Sequence, residues 1–335
     1  MSVSDPRGAR LALVFGQAVP DGAVAVFAPR AGEDLSFLGP ECRVIAGFRP
    51  DADWFSARGL PVTTRAEGRY ALSVVCLPRT RAAAQDLVAQ AIAATDGPVY
   101  VDGQKTDGID AMLRACRARA AVSEPVAKAH GKIFAIHAPD PGDFDDWRAV
   151  PQPVEGGMVT LPGVFSADGP DPGSRLLAAV LPERLPPLVA DLGAGWGWLA
   201  GQALTREGVE ELHLIEADHA ALECARANLP DPRVRFHWAD ALGFLPERPF
   251  DAVLCNPPFH TARAADPALG VAFVAAAARM LAPRGVLWLV ANRHLPYEAA
   301  LAVAFRQVEE MPGTPAFKLF RAGAPRPAAS RGHRP

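Results

Sequence analysis

Two short stretches of this chain hold residue types whose spacing could do chemistry. The first, Asp191-Leu-Gly193-Ala-Gly195-Trp-Gly197, sets an acid and three alternate glycines between an apolar run and a helical stretch. Glycine has no Cβ, so such a turn lets the backbone approach a ligand closely at the carboxyl edge of a sheet. The second, Asn256-Pro257-Pro258-Phe259, follows the apolar run from Phe250 to Leu254. Neither proline can donate to a sheet ladder, and Asn256 is driven towards an extended conformation. One reading is a plain strand stop. The other is a rigid edge, poor in donors, that presents carbonyl oxygens to a ligand carrying N–H groups.

Two further acids fall at related places. Glu216 lies about 20 residues past the last glycine, where a carboxylate can accept from both hydroxyls of a ribose. Asp240 ends "HWAD", placed to meet an adenine amino group. Capping would explain any one of these acids. Three of them, at the ends of three successive strands, point instead to a ligand in the crevice outside the strand ends. The glycine pattern is G-x-G-x-G. Trp198 stands where a dinucleotide fingerprint needs glycine and no G-K-[ST] follows, which weakens nicotinamide and P-loop readings.

Short apolar strands and longer helical stretches alternate around these residues. "LVADLG" (188–193), "ELHLIEAD" (211–218), "VRFHWAD" (234–240), "FDAVLCN" (250–256) and "GVLWLVAN" (285–292) read as strands. Helices are expected over 197–208, 220–230 and 271–285, with a helix and a terminal antiparallel pair after them. This alternation makes an α/β fold with a parallel sheet and right-handed crossovers. The first half repeats the scheme more faintly, with strands at "CRVIAGF" (42–48), "YALSVVCLPR" (70–79) and "GPVYVDGQ" (97–104). "VVCLPR" falls where "VLCNPPF" falls, as in a diverged duplication. The Pro-, Gly- and Asp-rich stretch 138–157 divides the halves. The expected organisation is a domain over 1–140, a linker over 141–157, a second domain over 158–322 and a disordered basic tail over 323–335.

Composition excludes more than it selects. The 335 residues carry a net charge of −3, so any nucleic-acid contact must come from a local patch. Arg79, Arg81, Lys105, Lys128 and Lys132 are candidates for phosphate contacts, although scattered surface basics are usually solvated charges. The cysteines are odd in number, scattered and free of C-x-x-C pairs, so no metal site and no disulfide framework is expected. Reduced thiols imply a cytoplasmic setting. "RLALVFGQAVPDGAVAVFAP" (10–29) reads as two strands around a turn rather than a signal peptide. No run approaches about 18 apolar residues, so no membrane span is expected.

In this order, "DLGAGWG", "LIEAD", "WADAL" and "NPPF" resemble class I S-adenosylmethionine-dependent methyltransferases, and the "NPPF" form resembles those acting on a planar exocyclic or amide nitrogen. "LPGVFSADGPDPGSRLL" (161–177), "NPPFH" (256–260), "VANRHLPY" (290–297) and "FKLFRA" (317–322) resemble the bacterial 16S ribosomal RNA guanine-N2 methyltransferases, type C among the small-subunit enzymes. The resemblance covers nearly the whole chain and is weaker before about residue 70. It implies two tandem Rossmann-like class I methyltransferase domains, the first degenerate and without cofactor, the second with a mostly parallel seven-stranded sheet. It also implies S-adenosyl-L-methionine as cofactor and small-subunit ribosomal RNA or the 30S particle as partner.

Under that resemblance, the Asn256 side-chain carbonyl and the Pro257 main-chain carbonyl accept the two N–H bonds of a guanine amine. This aligns the nitrogen with the sulfonium methyl. Pro258 stiffens the turn and Phe259 stacks on the base; His260 is a neighbour rather than a required base. Asp191, Gly193, Gly195 and Gly197 face the methionine end, Glu216 the ribose and Asp240 the adenine, with Asn256 beside them. Phe165 resembles the upstream element that closes over the cofactor, and a plain core aromatic is its equal alternative. Other substrates under the same motif are a large-subunit guanine, adenine-N6 or a protein glutamine amide. A non-catalytic RNA-binding protein of the same fold is the remaining reading.

Overall fold

The computed structural model describes residues 5–18, 21–258 and 267–327. The chain divides into two compact units, one of residues 1–152 with 161–163, the other of residues 153–160 with 164–335.

The first unit is an eight-stranded sheet flanked by helices α1 (Pro6–Phe15), α2 (Arg49–Ser56), α3 (Arg81–Ala94) and α4 (Ile109–Arg117). Its strands are β1 (Val24–Phe27), β2 (Cys42–Ile45), β3 (Val62–Thr63), β4 (Leu72–Cys76), β5 (Val99–Gln104), β6 (Ala121–Val122), β7 (Val126–Lys128) and β8 (Gly131–His137). They lie in the order 3-2-1-4-5-8-6, with β7 paired to β8. Pairing is parallel from β3 to β5 and antiparallel around β8. A short ribbon, β9 (Gln152–Pro153) and β10 (Val159–Thr160), lies where the chain leaves this unit.

The second unit is a seven-stranded sheet of β11 (Leu188–Leu192), β12 (Glu211–Glu216), β13 (Val234–Trp238), β14 (Phe250–Cys255), β15 (Leu281–Asn292), β16 (Phe305–Met311) and β17 (Phe317–Pro325), in the order 13-12-11-14-15-17-16. All pairs are parallel except those made by β17. Helices α5 (Pro172–Val180), α6 (Trp198–Leu204), α7 (His219–Asn228), α8 (Pro267–Met280) and α9 (Glu298–Ala304) accompany it. Every residue of β11 is buried, and its side chains alternate between two cores. Leu188, Ala190 and Leu192 join one, Val189 the other. A strand covered on both faces needs apolar residues at nearly every position, so the single charge in it, Asp191, stands out.

Three expectations are corrected. Of the two strands expected over 10–29, the second forms as β1, but the first is part of a helix over 6–15, which Asp5 caps by accepting from the N–H of Arg7 (3.1 Å) and Gly8 (2.9 Å), with Pro6 opening its first turn. Its buried residues Arg7, Leu11 and Phe15 recur at four-residue spacing, a helical period. Residues 141–152 belong to the first unit rather than to a free linker: Phe144 and Trp147, on a 3-10 turn over Pro141–Trp147, are buried in its core. The expected tail begins later, since β17 continues to Pro325, opposite Phe305 of β16. In addition, β1, rather than the stretch at 42–48, takes in the first sheet the place that β11 takes in the second. The counterpart of the glycine-rich turn is therefore "APRAG" (28–32) after β1, and β4 with Leu77 and Pro78 is the counterpart of β14 with Asn256 and Pro257. At this edge protein side chains fill the space. Arg10 is fully buried and donates from Nε and Nη2 to the two oxygens of Asp102 at 2.5 and 2.8 Å. The Arg7 Nε lies 3.1 Å from Asp102 and 3.2 Å from Glu33.

Candidate active site

The crevice outside the carboxyl ends of β11 and β14 gathers the groups of interest. Their register pairs Leu192 with Cys255, which brings the next residues, Gly193 and Asn256, level with each other. Gly193, Gly195 and Gly197 all have positive φ (77°, 56° and 87°), a region costly for residues with a Cβ. The three differ in surroundings. A Cβ on Gly197 would lie 2.9 Å from Leu229 Cδ1, whereas one on Gly195 would meet nothing within 4 Å. Gly197 is thus needed for packing, while Gly195 faces open space.

Asp191 is 1 % exposed, and its Oδ2 has no hydrogen-bond partner. Burial, followed by the charge of Glu216, pushes its pKa up to about 7, against the opposing pull of a backbone hydrogen bond from Ala200. Glu216 closes β12, and its carboxylate holds the glycine turn from behind. Oε2 accepts from the Gly195 N–H and Oε1 from the Asp218 N–H, each at 2.7 Å. Burial raises its pKa too, and these two backbone bonds work against that rise. Asn228 secures the turn from the other side, donating from Nδ2 to the carbonyls of Trp196 and Val159 at 2.9 Å.

Asn256 is held by residues that the motif reading did not single out. Asp171 caps α5 by accepting from the Ser174 N–H at 2.9 Å, with Pro172 in the first turn. The same Asp171 Oδ2, and the Ser174 Oγ, each accept from Asn256 Nδ2 at 2.8 Å. The carboxylate fixes which way the amide points, because turning it over would set Oδ1 against Asp171 Oδ2. Oδ1 is consequently left buried and without a partner. "DPGS" was readable as a helix start from its cap residue and proline; its link to Asn256 spans 85 positions.

Phe165 lines the crevice and is 55 % exposed, so it is not a core aromatic. Beside it, Ser166 holds φ at +56°, and its carbonyl accepts from the Trp196 indole N–H at 3.2 Å. Trp196 and Trp198 also line the crevice; the motif reading noted Trp198 only as a departure from the dinucleotide fingerprint and gave neither a place in the site. The structure therefore brings Phe165, Asp191, Gly193, Gly195 and Asn256 together, with Glu216 one hydrogen bond away. Asp240 stands apart, in the turn after β13, where it accepts from the Leu242 N–H at 2.9 Å. Pro257 is buried and Pro258 half-buried. Phe259 and His260 lie outside the described residues. Among the described residues no cluster of His, Cys, Asp and Glu could hold a metal ion, and no helix is long and apolar enough to cross a membrane.

A doubly wound sheet with a glycine turn after its central strand, an Asn-Pro-Pro after the next, and an antiparallel pair at one edge defines the class I methyltransferase fold. Residues 155–321, which fall in the second unit save for 161–163, match the methyltransferase small domain family. Across both units the chain is similar to the 16S rRNA N2 G1207 methyltransferase (RsmC) of T. thermophilus, solved in complex with AdoMet and guanosine. The TM-score is 0.76 at 27% identity, covering 95% of this chain and 93% of that one. It is also similar to the ribosomal RNA large subunit methyltransferase G of Ectopseudomonas mendocina, 34% identical over 64% of this chain and 56% of that protein. The Shewanella amazonensis protein of the same name is 37% identical over 51% of this chain and 46% of its own length. The chain spans about half the length of these curated relatives.

Proposed function

We propose that the second unit is an S-adenosylmethionine-dependent N-methyltransferase that modifies the exocyclic N2 amine of a guanine in small-subunit ribosomal RNA. The observation that carries this reading is the Asn256 carboxamide, held at its donor end by Asp171 and Ser174 and left with a buried, unpartnered Oδ1. An unpaired buried acceptor costs about 1–3 kcal/mol, and a substrate N–H removes that cost.

The groups present fit the cofactor. The orphaned Asp191 Oδ2 suits a cation such as the amino group of the methionine moiety, and the open face of Gly195 admits close approach. Each Glu216 oxygen accepts one backbone N–H and retains a lone pair for a ribose hydroxyl. We assign Asp240 to the adenine end. When bound, S-adenosylmethionine supplies an electrophilic methyl group on its sulfonium sulfur. Guanine N2 is a poor nucleophile because its lone pair is delocalised into the ring. Asn256 Oδ1 and the Pro257 carbonyl accept its two N–H bonds, hold the nitrogen in line and favour a pyramidal geometry with the lone pair aimed at carbon. The methylated nitrogen is acidic and gives up its proton readily, so no strongly basic side chain is required. The first unit, its own sheet edge filled by Arg7 and Arg10, serves RNA placement and folding.

Likeness to the T. thermophilus enzyme over nearly the full length of both chains supports the small-subunit substrate. The names of the curated relatives favour a second reading, a guanine in large-subunit RNA. Incubation of the protein with methyl-labelled cofactor and purified 30S or 50S particles, or their naked RNAs, separates the two when the nucleosides are then analysed. Label in N2-methylguanosine of 16S RNA is expected; label confined to 23S RNA selects the second reading. Label in N6-methyladenosine or protein, or no label anywhere, overturns both.

A further inference from the structure

The first unit holds a cleft of its own, remote in sequence from the crevice of the second unit. It lies between the β7–β8 hairpin and the β5–α4 connection, is open to solvent and has a volume of about 450 Å³. Lys105, Lys128, His130 and Lys132 line it, with Asp110 the only carboxylate among the described lining residues. We propose that this cleft binds the phosphodiester backbone of the RNA substrate, an assignment that rests on the RNA-modifying function proposed for the second unit.

Charge supports it first. Asp110 accepts from the Lys132 Nζ at 2.6 Å, and that bond, with the charges of Lys132, Lys105 and Arg114, holds its carboxyl below the usual range. Among the described residues neither Lys105 nor Lys128 makes an ion pair, and both are exposed, as is His130. In a chain whose net charge is −3, three lysines and a histidine facing one carboxylate form a local cationic site. An RNA backbone recognises such a site through its phosphates.

Construction supports it second. Lys128 pairs with Gly131, so Ala129 and His130 form a two-residue hairpin loop, and both have positive φ (49° and 58°). That is the sign a type I′ turn needs at both positions, and Asn-Gly is the pair that adopts it most readily. Alanine and histidine there are strained, and strain of this kind persists only where the surroundings over-determine it. They do so here. Arg10, locked on Asp102, donates from Nη1 to the Lys128 carbonyl at 3.1 Å. The Lys105 N–H donates to the His130 carbonyl at 3.0 Å. A Cβ on Gly131 would lie 2.5 Å from Arg10 Nη1 and 2.6 Å from the Gly103 carbonyl, so only glycine lets the hairpin sit this close. The lysines thus project from a rigid frame, which lowers the ordering cost of binding. A hairpin selected only for stability would have glycine at position 130. Histidine there adds a donor at the mouth of the cleft.

The full-length variants Lys105→Gln, Lys128→Gln, their double variant and His130→Gly test the assignment. Binding of ribosomal RNA is measured without turnover, by fluorescence anisotropy over a range of salt concentrations. S-adenosylmethionine affinity and methyl transfer are measured separately. Each lysine change is expected to weaken RNA binding by about 5- to 20-fold and to lower the slope of log K against log[salt] by about one. Cofactor affinity and the rate at saturating RNA should stay at the parent's. His130→Gly should weaken RNA binding while leaving the melting temperature equal or raised by up to about 3 °C. Calorimetric titration with inorganic phosphate distinguishes the other source of the same chemistry. Submillimolar phosphate binding that is lost in the double variant while RNA affinity is kept overturns the proposal. So does a double variant with parental RNA affinity and salt slope. If the parent binds RNA through these lysines but methylates nothing, the cleft stands and the catalytic reading falls. If it methylates RNA and the double variant does so with unchanged KM, the reverse holds.

Discussion

Asn256 Nδ2 lies 2.8 Å from Asp171 Oδ2, and this one contact decides which end of the carboxamide faces the crevice. The Ser174 hydroxyl, also at 2.8 Å, strengthens the choice. Asp171 and Ser174 act through Asn256, so their replacement should lower turnover without moving cofactor affinity.

Asn256→Ala should reduce the methylation rate by a factor on the order of 10²–10³, the loss typical of removing one preorganised polar group aimed at the reacting centre. Asn256→Asp should be no better near pH 8, because its carboxylate would face that of Asp171 at hydrogen-bond distance and the two cannot both stay ionised. Combining it with Asp171→Asn exchanges donor and acceptor, with the Ser174 N–H at the helix cap passing to the asparagine Oδ1. That double variant should recover at least about tenfold over Asn256→Asp alone, since the tenfold step corresponds to about 1.4 kcal/mol of restored pairing. Steady-state rates for the four proteins, with calorimetry for the cofactor, check the cycle. No recovery would remove the positioning role of Asp171.

Asp191 links protonation to both stability and binding. Its pKa of about 7 in the folded protein lies above the ordinary carboxyl value, so between about pH 4 and 7 the folded state holds a proton that the unfolded state has lost. Its contribution to stability therefore falls as pH rises through that window, by about 1.4 kcal/mol per pH unit, and is constant above it. Asp191→Asn should raise the melting temperature at pH 8 and change it little at pH 4. A bound cation beside Asp191 reverses the preference, so cofactor binding near pH 6.5 should release a proton. The calorimetric enthalpy should then depend on the buffer's ionisation enthalpy in the parent and not in the asparagine variant.

Glu216→Ala strips the acceptor from two backbone N–H groups, those of Gly195 and Asp218. Each is a hydrogen bond to a charged group, worth about 1.5–3 kcal/mol. The variant should therefore lose stability as well as cofactor affinity, with Glu216→Gln intermediate in both. Chemical denaturation beside calorimetric titration tests this. A variant that lost affinity alone would show that the turn does not lean on Glu216.

Gly195 and Gly197 should separate binding from folding. Gly197→Ala brings a Cβ to 2.9 Å from Leu229 at a φ of 87°, and should lower stability by about 2 kcal/mol or more, within the range for overpacking. Gly195→Ala meets no atom within 4 Å, so its folding cost should be limited to about 1 kcal/mol for the left-handed conformation. Its added methyl faces the crevice, and cofactor affinity should drop at least tenfold. Melting temperatures paired with binding isotherms distinguish the two variants.

The sequence by itself determined the strand–helix alternation, the glycine turn, the acids at strand ends and the Asn-Pro-Pro stop, because each is written in adjacent residues with a local physical cause. The same local logic failed over residues 6–15, where an apolar stretch fits a strand and a helix alike and the cap at Asp5 decides. Only the tertiary structure decided which strand of the first unit takes the place of β11, since strand order depends on pairings between distant residues. It alone joined Asp171 and Ser174 to Asn256 across more than 80 positions. It alone gathered Lys105 with Lys128 and Lys132, which read singly as solvated charges and together line one cleft. The orientation of a side-chain amide and the sign of a local field are set by groups brought near through folding, and no spacing along the chain encodes them.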